Sequence, residues 1–343
     1  MLVDQSLIDV DTKVASGQAA TAEAEGFDGV WATESLTDST LMAMGAALST
    51  ERVHIGTAVT IAFARNPMTL AYAAWDLNTA SDGRFTLGLG SQVKAHVERR
   101  YSMPWTSPAP RMREFIGALR AIWASWQTGA ELAYASEHYN HSLMTPVFTP
   151  QHHDHPLRIM LSAVGPRMTQ VAAETADGVI LHGFTTPQYL DAVTLPTVEA
   201  GLKAVGRSRE DFVLYCPLFL ITGGNEEEMA AARERTRGQI AFYASTPNYR
   251  DVLESVGFEE LQGELQALTR EGKWDQLSSR LPDELLDHIA ITGTPEELPR
   301  LIHERFGGRL DRISSRFGWP TSDPERLEQM IKELHDDPHQ VRR

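Results

Sequence analysis

Two ionisable side chains, Glu34 and His182, directly follow short apolar runs that are typical of buried strands. A carboxylate at a strand end can give or take a proton, and an imidazole there can donate a proton or a hydrogen bond to a substrate. Both residues also have a structural interpretation. Glu34 could cap the following helix or pair with a base, and His182 could be a core histidine whose hydrogen bonds are satisfied.

Two further strand ends suit an anionic or flat ligand. After the run 158–162, Pro166 opens a helix, so free N–H groups and Arg167 create an anion site at the helix N-terminus. Gly88 and Gly90 close another strand-like run but lack the rest of a dinucleotide-binding fingerprint. They indicate either tight packing at the turn or close approach of the backbone to a ring or phosphate.

The other potentially reactive side chains are predicted to have structural roles and not catalytic or metal-binding ones. The histidines and aspartate at 152–155 lie in a polar loop without the i, i+4 spacing of helical metal ligands, so no metal site is predicted. Cys216 is the only cysteine and lies in the apolar run 212–221, which predicts a buried thiol and excludes an intramolecular disulfide. The common zinc, serine-hydrolase and P-loop motifs are absent from the sequence.

The elements that must position these residues alternate along the chain. Short β-branched runs and helical stretches follow one another, which predicts βαβ units and a parallel sheet. Strands are predicted at Val3, Gly29, Val53, Phe85, Ile159, Val179, Val213 and Arg312. This is the strand count of an α/β fold of the (β/α)8 TIM-barrel type, whose active site lies at the carboxyl ends of the strands, and a doubly wound open sheet is the alternative.

Two segments depart from this alternation. We predict a hairpin near 131–155 and a partly helical insertion near 246–290. Since the sequence contains no repeat, linker or low-complexity tract, a single domain over 1–343 is expected.

Charge and hydropathy limit the partners. The formal net charge of −15 disfavours a nucleic-acid partner because phosphate backbones are repelled. No signal peptide opens the sequence, and no apolar run approaches the roughly 20 residues of a membrane span, so a cytoplasmic protein without a membrane partner is expected.

Longer segments carry a pattern that covers nearly the whole chain. They read AEGFDGVW at 24–31, GTAV at 56–59, FARNP at 63–67, SDGRFTLGLG at 81–90, RMRE at 111–114, LRAIW at 119–123, GPRM at 165–168, ADGV at 176–179 and TGTPEE at 292–297. With these segments the chain strongly resembles the bacterial luciferase-like superfamily, and within it the actinobacterial F420-dependent oxidoreductases. The resemblance implies a TIM barrel with a deep pocket for the flavin FMN or the deazaflavin F420, often in a homodimer.

The resemblance also implies roles for individual residues. An acid or histidine near the deazaflavin ring corresponds to Thr33 and Glu34, and a non-proline cis peptide behind the ring falls within Ala58, Val59 and Thr60. The other implied residues comprise the phosphate donors Val164, Gly165, Arg167 and Met168, the ring contacts Gly90, Ser91 and His96, and a possible substrate contact at His182.

The sequence departs from one subgroup of this family. The sugar-phosphate dehydrogenases carry Asp-His after the second strand and Glu after the fourth, whereas this chain has Thr33-Glu34 and Val93. Because that acid–base pair is incomplete, dehydrogenation of glucose 6-phosphate is not expected.

The leading hypothesis is hydride transfer between F420 and a small organic substrate. Glu34 would donate or accept the proton, and His182 would contact the substrate. An FMN-dependent monooxygenase that uses reduced flavin and oxygen is the alternative. A barrel that binds flavin or deazaflavin without turnover is the second alternative, which Val93 favours and Glu34 disfavours.

Overall fold

The computed structural model describes residues 1–8, 11–320 and 323–336. Within these residues, eight parallel strands lie where the sequence predicts them. They are β1 (Leu2–Leu7), β2 (Gly29–Ala32), β3 (His54–Thr57), β4 (Phe85–Gly90), β5 (Arg158–Ser162), β6 (Gly178–Ile180), β7 (Val213–Leu218) and β8 (Arg312–Ser315). The predicted succession of βαβ units is therefore confirmed.

The parallel sheet closes on itself. Every strand pairs with the next, from Ile55 of β3 beside Phe85 of β4 round to Val3 of β1 beside Ile313 of β8. An open doubly wound sheet would leave two edges unpaired, so the TIM barrel is confirmed over this alternative. The carboxyl ends of all eight strands consequently open onto one face.

Helices surround the barrel and cover its outer surface. They are α1 (Thr12–Ala24), α2 (Ser39–Ser49), α3 (Pro67–Ala80), α4 (Lys94–Arg99), α5 (Pro108–Thr128), α6 (Pro166–Thr175), α7 (Leu195–Ala204), α8 (Glu226–Ala244), α9 (Arg250–Glu254), α10 (Glu259–Arg270), α11 (Leu277–Arg280), α12 (Asp283–Ile289), α13 (Leu298–Phe306) and α14 (Pro324–His335). A short helical turn, Pro187–Tyr189, and a π-helical turn, Leu190–Thr194, lead into α7. None of the described helices is both long enough and apolar enough to cross a lipid bilayer.

Local sequence signals set several helix ends. The Asn66 side chain accepts a hydrogen bond of 2.8 Å from the N–H of Met68, and Pro67 opens α3, as the Asn-Pro pair predicts. Gly26 has a φ of 90° just after α1, a conformation that glycine adopts without steric cost. Helix α4 was not predicted, because its six residues are too few to show a clear apolar period.

Two predicted strands are interrupted in the structure. The run 53–61 forms β3 and then a separate Thr60–Ile61 strand, because the backbone bulges between them. The run 212–221 forms β7 and then Leu220–Ile221, which leaves the barrel and pairs with Ile291–Thr292. Hydrophobicity alone does not reveal either interruption, since both halves of each run are buried.

A buried ionic network fills the barrel interior below the strand ends. Both carboxylate oxygens of Asp4 accept hydrogen bonds from the Arg312 guanidinium, at 2.6 and 2.8 Å, and one also accepts from Trp31 Nε1 at 2.7 Å. The Trp31 ring stacks on Tyr215 with centroids 4.3 Å apart. This network holds the barrel interior beneath the strand ends in place, because each buried charge has a hydrogen-bonded partner.

The two predicted insertions are present. Tyr134–Ala135 pairs antiparallel with Asn140–His141 in a short hairpin, and the segment from Pro247 to Ile289 is divided into short helices. The second insertion packs through a separate apolar core, in which its Leu253 and Leu285 are fully buried together with Ile240 of α8. It therefore packs as a fixed part of the fold over one side of the barrel mouth.

Candidate active site

A large cavity of about 1240 Å³ opens at the carboxyl ends of the strands. A second cavity, of about 540 Å³, lies apart from it and is lined by residues such as Arg233 and Arg305. The lining of the large cavity includes most of the residues that the sequence singled out. These are Thr33, Glu34, Ala58, Val59, Gly90, Ser91, Val164, Gly165, Arg167, Met168 and His182. The barrel thus brings together residues from strand ends far apart in sequence.

Two predicted contacts do not line this cavity. Thr60 is fully buried behind the wall, where its hydroxyl is 3.0 Å from that of Thr57 and 2.9 Å from that of Ser39. His96 lies on an exposed face of α4. Ser91 to Val93 are non-helical, and α4 begins only at Lys94, so His96 does not reach the cavity wall.

The predicted non-proline cis peptide is confirmed at Ala58–Val59. It forms the bulge between β3 and Thr60–Ile61, and both residues line the cavity. The glycines of β4 make room for this bulge. A Cβ atom at Gly88 would lie 1.7 Å from the Thr57 carbonyl oxygen, and one at Gly90 would lie 2.4 Å from a Val59 methyl. Gly88 and Gly90 thus serve tight packing of β4 against β3.

Both carboxylate oxygens of Glu34 are occupied by protein donors. Oε1 accepts from Arg65 Nη1 at 2.8 Å, and Oε2 accepts from the Ser39 hydroxyl at 2.9 Å and the Ile61 N–H at 3.3 Å. Arg65 also pairs with Asp38 at 2.7 Å. Glu34 thus joins the loop after β2 to the bulge after β3. Its proton-transfer role stays a prediction, and the geometry adds a positioning role.

Thr33, the neighbour of Glu34, also has a protein acceptor. Its hydroxyl donates to the Leu7 carbonyl at 3.1 Å, so the hydroxyl proton is directed at β1. Towards a ligand in the cavity, the Thr33 hydroxyl can therefore act only as a hydrogen-bond acceptor.

His182 follows β6 and is half-buried in the cavity wall. Its Nδ1 accepts a hydrogen bond of 3.0 Å from the Phe184 N–H, which places the ring proton on Nε2. Desolvation, reinforced by the nearby Arg316 charge, lowers the pKa of His182 to about 3. The imidazole is therefore neutral at physiological pH and acts as a hydrogen-bond donor through Nε2, with no proton to give as an acid.

The N-terminus of α6 opens at the cavity, where the sequence predicts an anion site. Gly165 precedes the helix without a side-chain cap, so the first-turn N–H groups keep their donors free for a ligand. The guanidinium of Arg167 is exposed and has no ion-pair partner among the described residues. In contrast, the nearby Arg113 is paired with Glu174. The donor set at this helix end fits a phosphate group.

Ligand atoms of Glu114, Glu137 and His138 lie within 4.8 Å of one another, the spacing of a possible metal site. A Glu114 oxygen, however, accepts hydrogen bonds from both the backbone N–H and Nδ1 of His138, at 2.8 and 2.9 Å. These atoms already satisfy each other, and nothing at the cluster favours a metal ion over this hydrogen-bonded pair.

Arg316, Tyr243 and Tyr249 are among the cavity residues that the sequence analysis did not single out. Arg316 directly follows β8, so the strand-end rule itself could have found it. Tyr243 belongs to α8 and Tyr249 to the turn that opens the second insertion. No local pattern marks those two tyrosines, because their place depends on how the insertion folds back over the mouth.

Comparison with known proteins gives one consistent result. A model of the luciferase-like monooxygenase family matches residues 9–311. An uncharacterized protein of Mycobacterium tuberculosis is 43% identical over 300 residues, covering 87% of this chain and 88% of the relative. A 5,10-methylenetetrahydromethanopterin reductase of Archaeoglobus fulgidus is 29% identical over 293 residues, with 82% and 83% covered.

A solved structure matches the fold over almost its full length. The coenzyme F420-dependent tetrahydromethanopterin reductase from Methanopyrus kandleri superposes with a TM-score of 0.77 and covers 98% of both chains at 20% identity. At that identity the likeness concerns the fold.

Proposed function

The chain belongs to the luciferase-like monooxygenase family, and within this family we propose that it is an F420-dependent oxidoreductase acting on a small organic substrate. The observation that carries the proposal is the cavity, which joins the Ala58–Val59 bulge to the free α6 N-terminus and Arg167. A putative coenzyme F420-dependent oxidoreductase of Mycobacterium tuberculosis, 32% identical over 294 residues with 80% of this chain and 82% of the relative covered, supports F420 as the cofactor.

The residues present suit such a cofactor. The first-turn amides of α6 and Arg167 would hold its phosphate, and Ala58, Val59 and Gly90 would lie along its ring. When bound, a deazaflavin accepts or gives one hydride at a ring carbon. The chain's own contribution is to orient the partners, exclude water behind the buried wall, and donate a hydrogen bond from His182 Nε2 to the substrate oxygen.

An FMN-dependent monooxygenase is the second candidate, because the family's description names a monooxygenase. The same helix end fits the phosphate of FMN. A barrel that binds either cofactor without turnover is the third candidate, favoured by Val93, an apolar side chain in the cavity wall where some family members carry an acid.

Separate titrations with F420 and FMN, followed by cofactor fluorescence, test the proposal. We expect F420 to bind more tightly than FMN. Arg167→Gln should weaken F420 binding by about tenfold, the usual worth of one charged hydrogen bond. The matched control is Arg99→Gln on the exposed face of α4, outside the cavity, which should bind F420 like the wild type.

Tight binding of FMN alone would replace the proposal by the monooxygenase. Binding of neither cofactor would leave a barrel without this chemistry. An equal loss in the Arg167 and Arg99 variants would contradict the phosphate site at α6.

A further inference from the structure

The cavity has two chemically different arcs. The strands follow one another around the barrel, so the ends of β2 to β5 form one arc and the ends of β6 to β8 form the other. The residues proposed for the cofactor belong to the first arc. The second arc holds His182 after β6, Phe219 after β7 and Arg316 after β8. These residues remain available to a second ligand.

Arg316 is a half-buried cation with no partner. Its backbone N–H donates to Leu218 at 2.8 Å, but its guanidinium makes no hydrogen bond or ion pair with any described residue. Arg65 and Arg113, which lie in or behind other parts of the wall, are both paired with carboxylates. A guanidinium held in a cavity wall without a counter-ion has its full set of donors free for an anionic ligand.

Arg316 and His182 line the same arc of the cavity wall and interact electrostatically. The positive charge of Arg316 contributes to the lowered pKa of the His182 imidazole. The free Nε2–H of His182 and the guanidinium therefore offer two sets of donors on this arc. Such a pair recognises two oxygen-bearing groups on one small molecule.

Aromatic rings enclose these donors. The His182 ring lies 4.2 Å from that of Tyr243 and 5.0 Å from that of Tyr249, measured between centroids. Phe219 lies 6.3 Å from Tyr243 and lines the cavity as well. Flat apolar faces beside a polar pair favour a ligand with an aromatic or apolar body.

We propose that the arc of His182, Phe219, Tyr243, Tyr249 and Arg316 is a substrate subsite for an aromatic or apolar compound with a carboxylate beside its reacting oxygen. The idea rests on the proposed function. Arg316 binds the carboxylate, His182 Nε2 donates to the neighbouring carbonyl or hydroxyl oxygen, and the rings hold the body. One guanidinium matches a planar carboxylate in charge and shape, whereas a phosphate dianion would keep an uncompensated charge.

Binding of matched probes tests the subsite without turnover. Benzoylformate carries a ketone oxygen beside a carboxylate, and benzoylformamide has the same body without the charge. Titration calorimetry would measure both on the wild type with oxidised F420, with FMN and without cofactor. We expect benzoylformate to bind at least about tenfold more tightly than the amide, the worth of a charged hydrogen bond.

Variants of Arg316 and Arg167 serve as controls for each other, because the first should affect only the probes and the second only F420. Arg316→Gln should bring the two probes to nearly equal affinity, Arg316→Lys should keep part of the difference, and F420 affinity should stay within a few fold of wild type. Arg167→Gln should preserve the difference between the probes and weaken F420. Thermal unfolding checks that each variant is folded, and because the Arg316 guanidinium has no partner among the described residues, Arg316→Gln should not lower Tm.

The proposal fails if the amide binds wild type as well as benzoylformate does, or if phenyl phosphate binds more tightly than both. It also fails if Arg167→Gln abolishes the difference while Arg316→Gln keeps it. The proposed function fails separately, when F420 does not bind to the wild type. The cofactor-free titrations then still decide whether the subsite exists.

Discussion

Replacement of Glu34 by glutamine separates its two possible roles. The side chain is 7% exposed, and its carboxylate accepts from three donors: the Arg65 guanidinium, the Ser39 hydroxyl and the Ile61 N–H. A glutamine keeps one acceptor oxygen, so its NH2 group must face a donor in either orientation. The variant therefore loses an ion pair. At the junction of the two loops, its NH2 group faces either the Arg65 guanidinium or the Ser39 and Ile61 donors.

The cost follows from the burial of this ion pair. Exposed pairs contribute about 0–1 kcal/mol, and removal of one partner from a fully buried pair costs about 3–5 kcal/mol. The Arg65 side chain is 18% exposed and keeps Asp38 as a partner, so the loss lies between these limits. We expect Glu34→Gln to lower the free energy of unfolding by about 2 kcal/mol and Tm by a few degrees.

Arg65→Gln is the matched comparison because it breaks the same pair from the other side without touching the carboxylate. If Glu34 positions the loop, both variants lose stability and turnover to a similar extent, and the double variant loses little more than either single one. Urea unfolding measures the stabilities, and steady-state turnover of F420 across pH measures the activity. The shape of the pH profile should be unchanged in Glu34→Gln.

A proton-transfer role for Glu34 gives a different pattern. Loss of a general acid or base lowers turnover by about 10²–10⁴-fold. If Glu34→Gln causes such a loss, removes one limb of the pH profile and leaves Arg65→Gln mostly active, then the positioning argument is refuted.

Two further predictions concern His182 and the glycines of β4. His182 is neutral in the fold, with its pKa lowered from 6.5 to about 3, so the wild type loses unfolding free energy as the pH falls from 6.5 towards 3. Urea unfolding at about pH 7.5 and about pH 5 should show a smaller acid loss in His182→Gln, and an equal loss would contradict the buried neutral imidazole. Gly88→Ala should cost more than about 3 kcal/mol, since its Cβ would lie 1.7 Å from the Thr57 carbonyl oxygen. Gly165→Ala, with no atom within 4 Å of the added Cβ, should unfold like the wild type, and similar Tm values for both variants would refute the packing role.

The barrel could be predicted from the sequence because its strands are continuous apolar runs separated by helix and turn signals. Asn66-Pro67 before α3 and Gly26 after α1 are such signals, and both act in the structure as expected. The end of the third strand was only partly predictable. Its apolar pattern continues through the bulge, so the cis bond at Ala58–Val59 came from the family resemblance and not from the pattern.

The site was predictable where it depends on strand ends and unpredictable where it depends on tertiary partners. The strand-end rule placed Glu34 and His182 in the cavity wall. It could not reveal that Arg65 engages Glu34 from 31 positions further along the chain. The strand-end rule also could not show that Tyr243 of α8 lines the cavity. The Arg65–Glu34 contact and the position of Tyr243 arise only when separate parts of the chain fold together.

The charges of the cavity explain how an acidic chain can take anionic ligands. The net charge of −15 arises mainly on solvated surfaces, where salt screens it over about 8 Å at physiological ionic strength. Among the described residues that line the cavity, Glu34 is paired with Arg65, Glu114 is hydrogen-bonded to His138, and Asp251 lies exposed.

The electrostatic potential inside the cavity is therefore set by the two lining arginines that have no ion-pair partner among the described residues. They are Arg167 on one arc and Arg316 on the other. Arg167 is exposed and keeps its hydration, whereas the half-buried Arg316 has lost part of its hydration and gains from a counter-ion. An anionic cofactor at α6 neutralises only Arg167, because Arg316 lies across the barrel at the end of β8. Arg316 then remains available to the second ligand, and this is our reason for proposing an acid as the substrate and not a neutral alcohol or ketone.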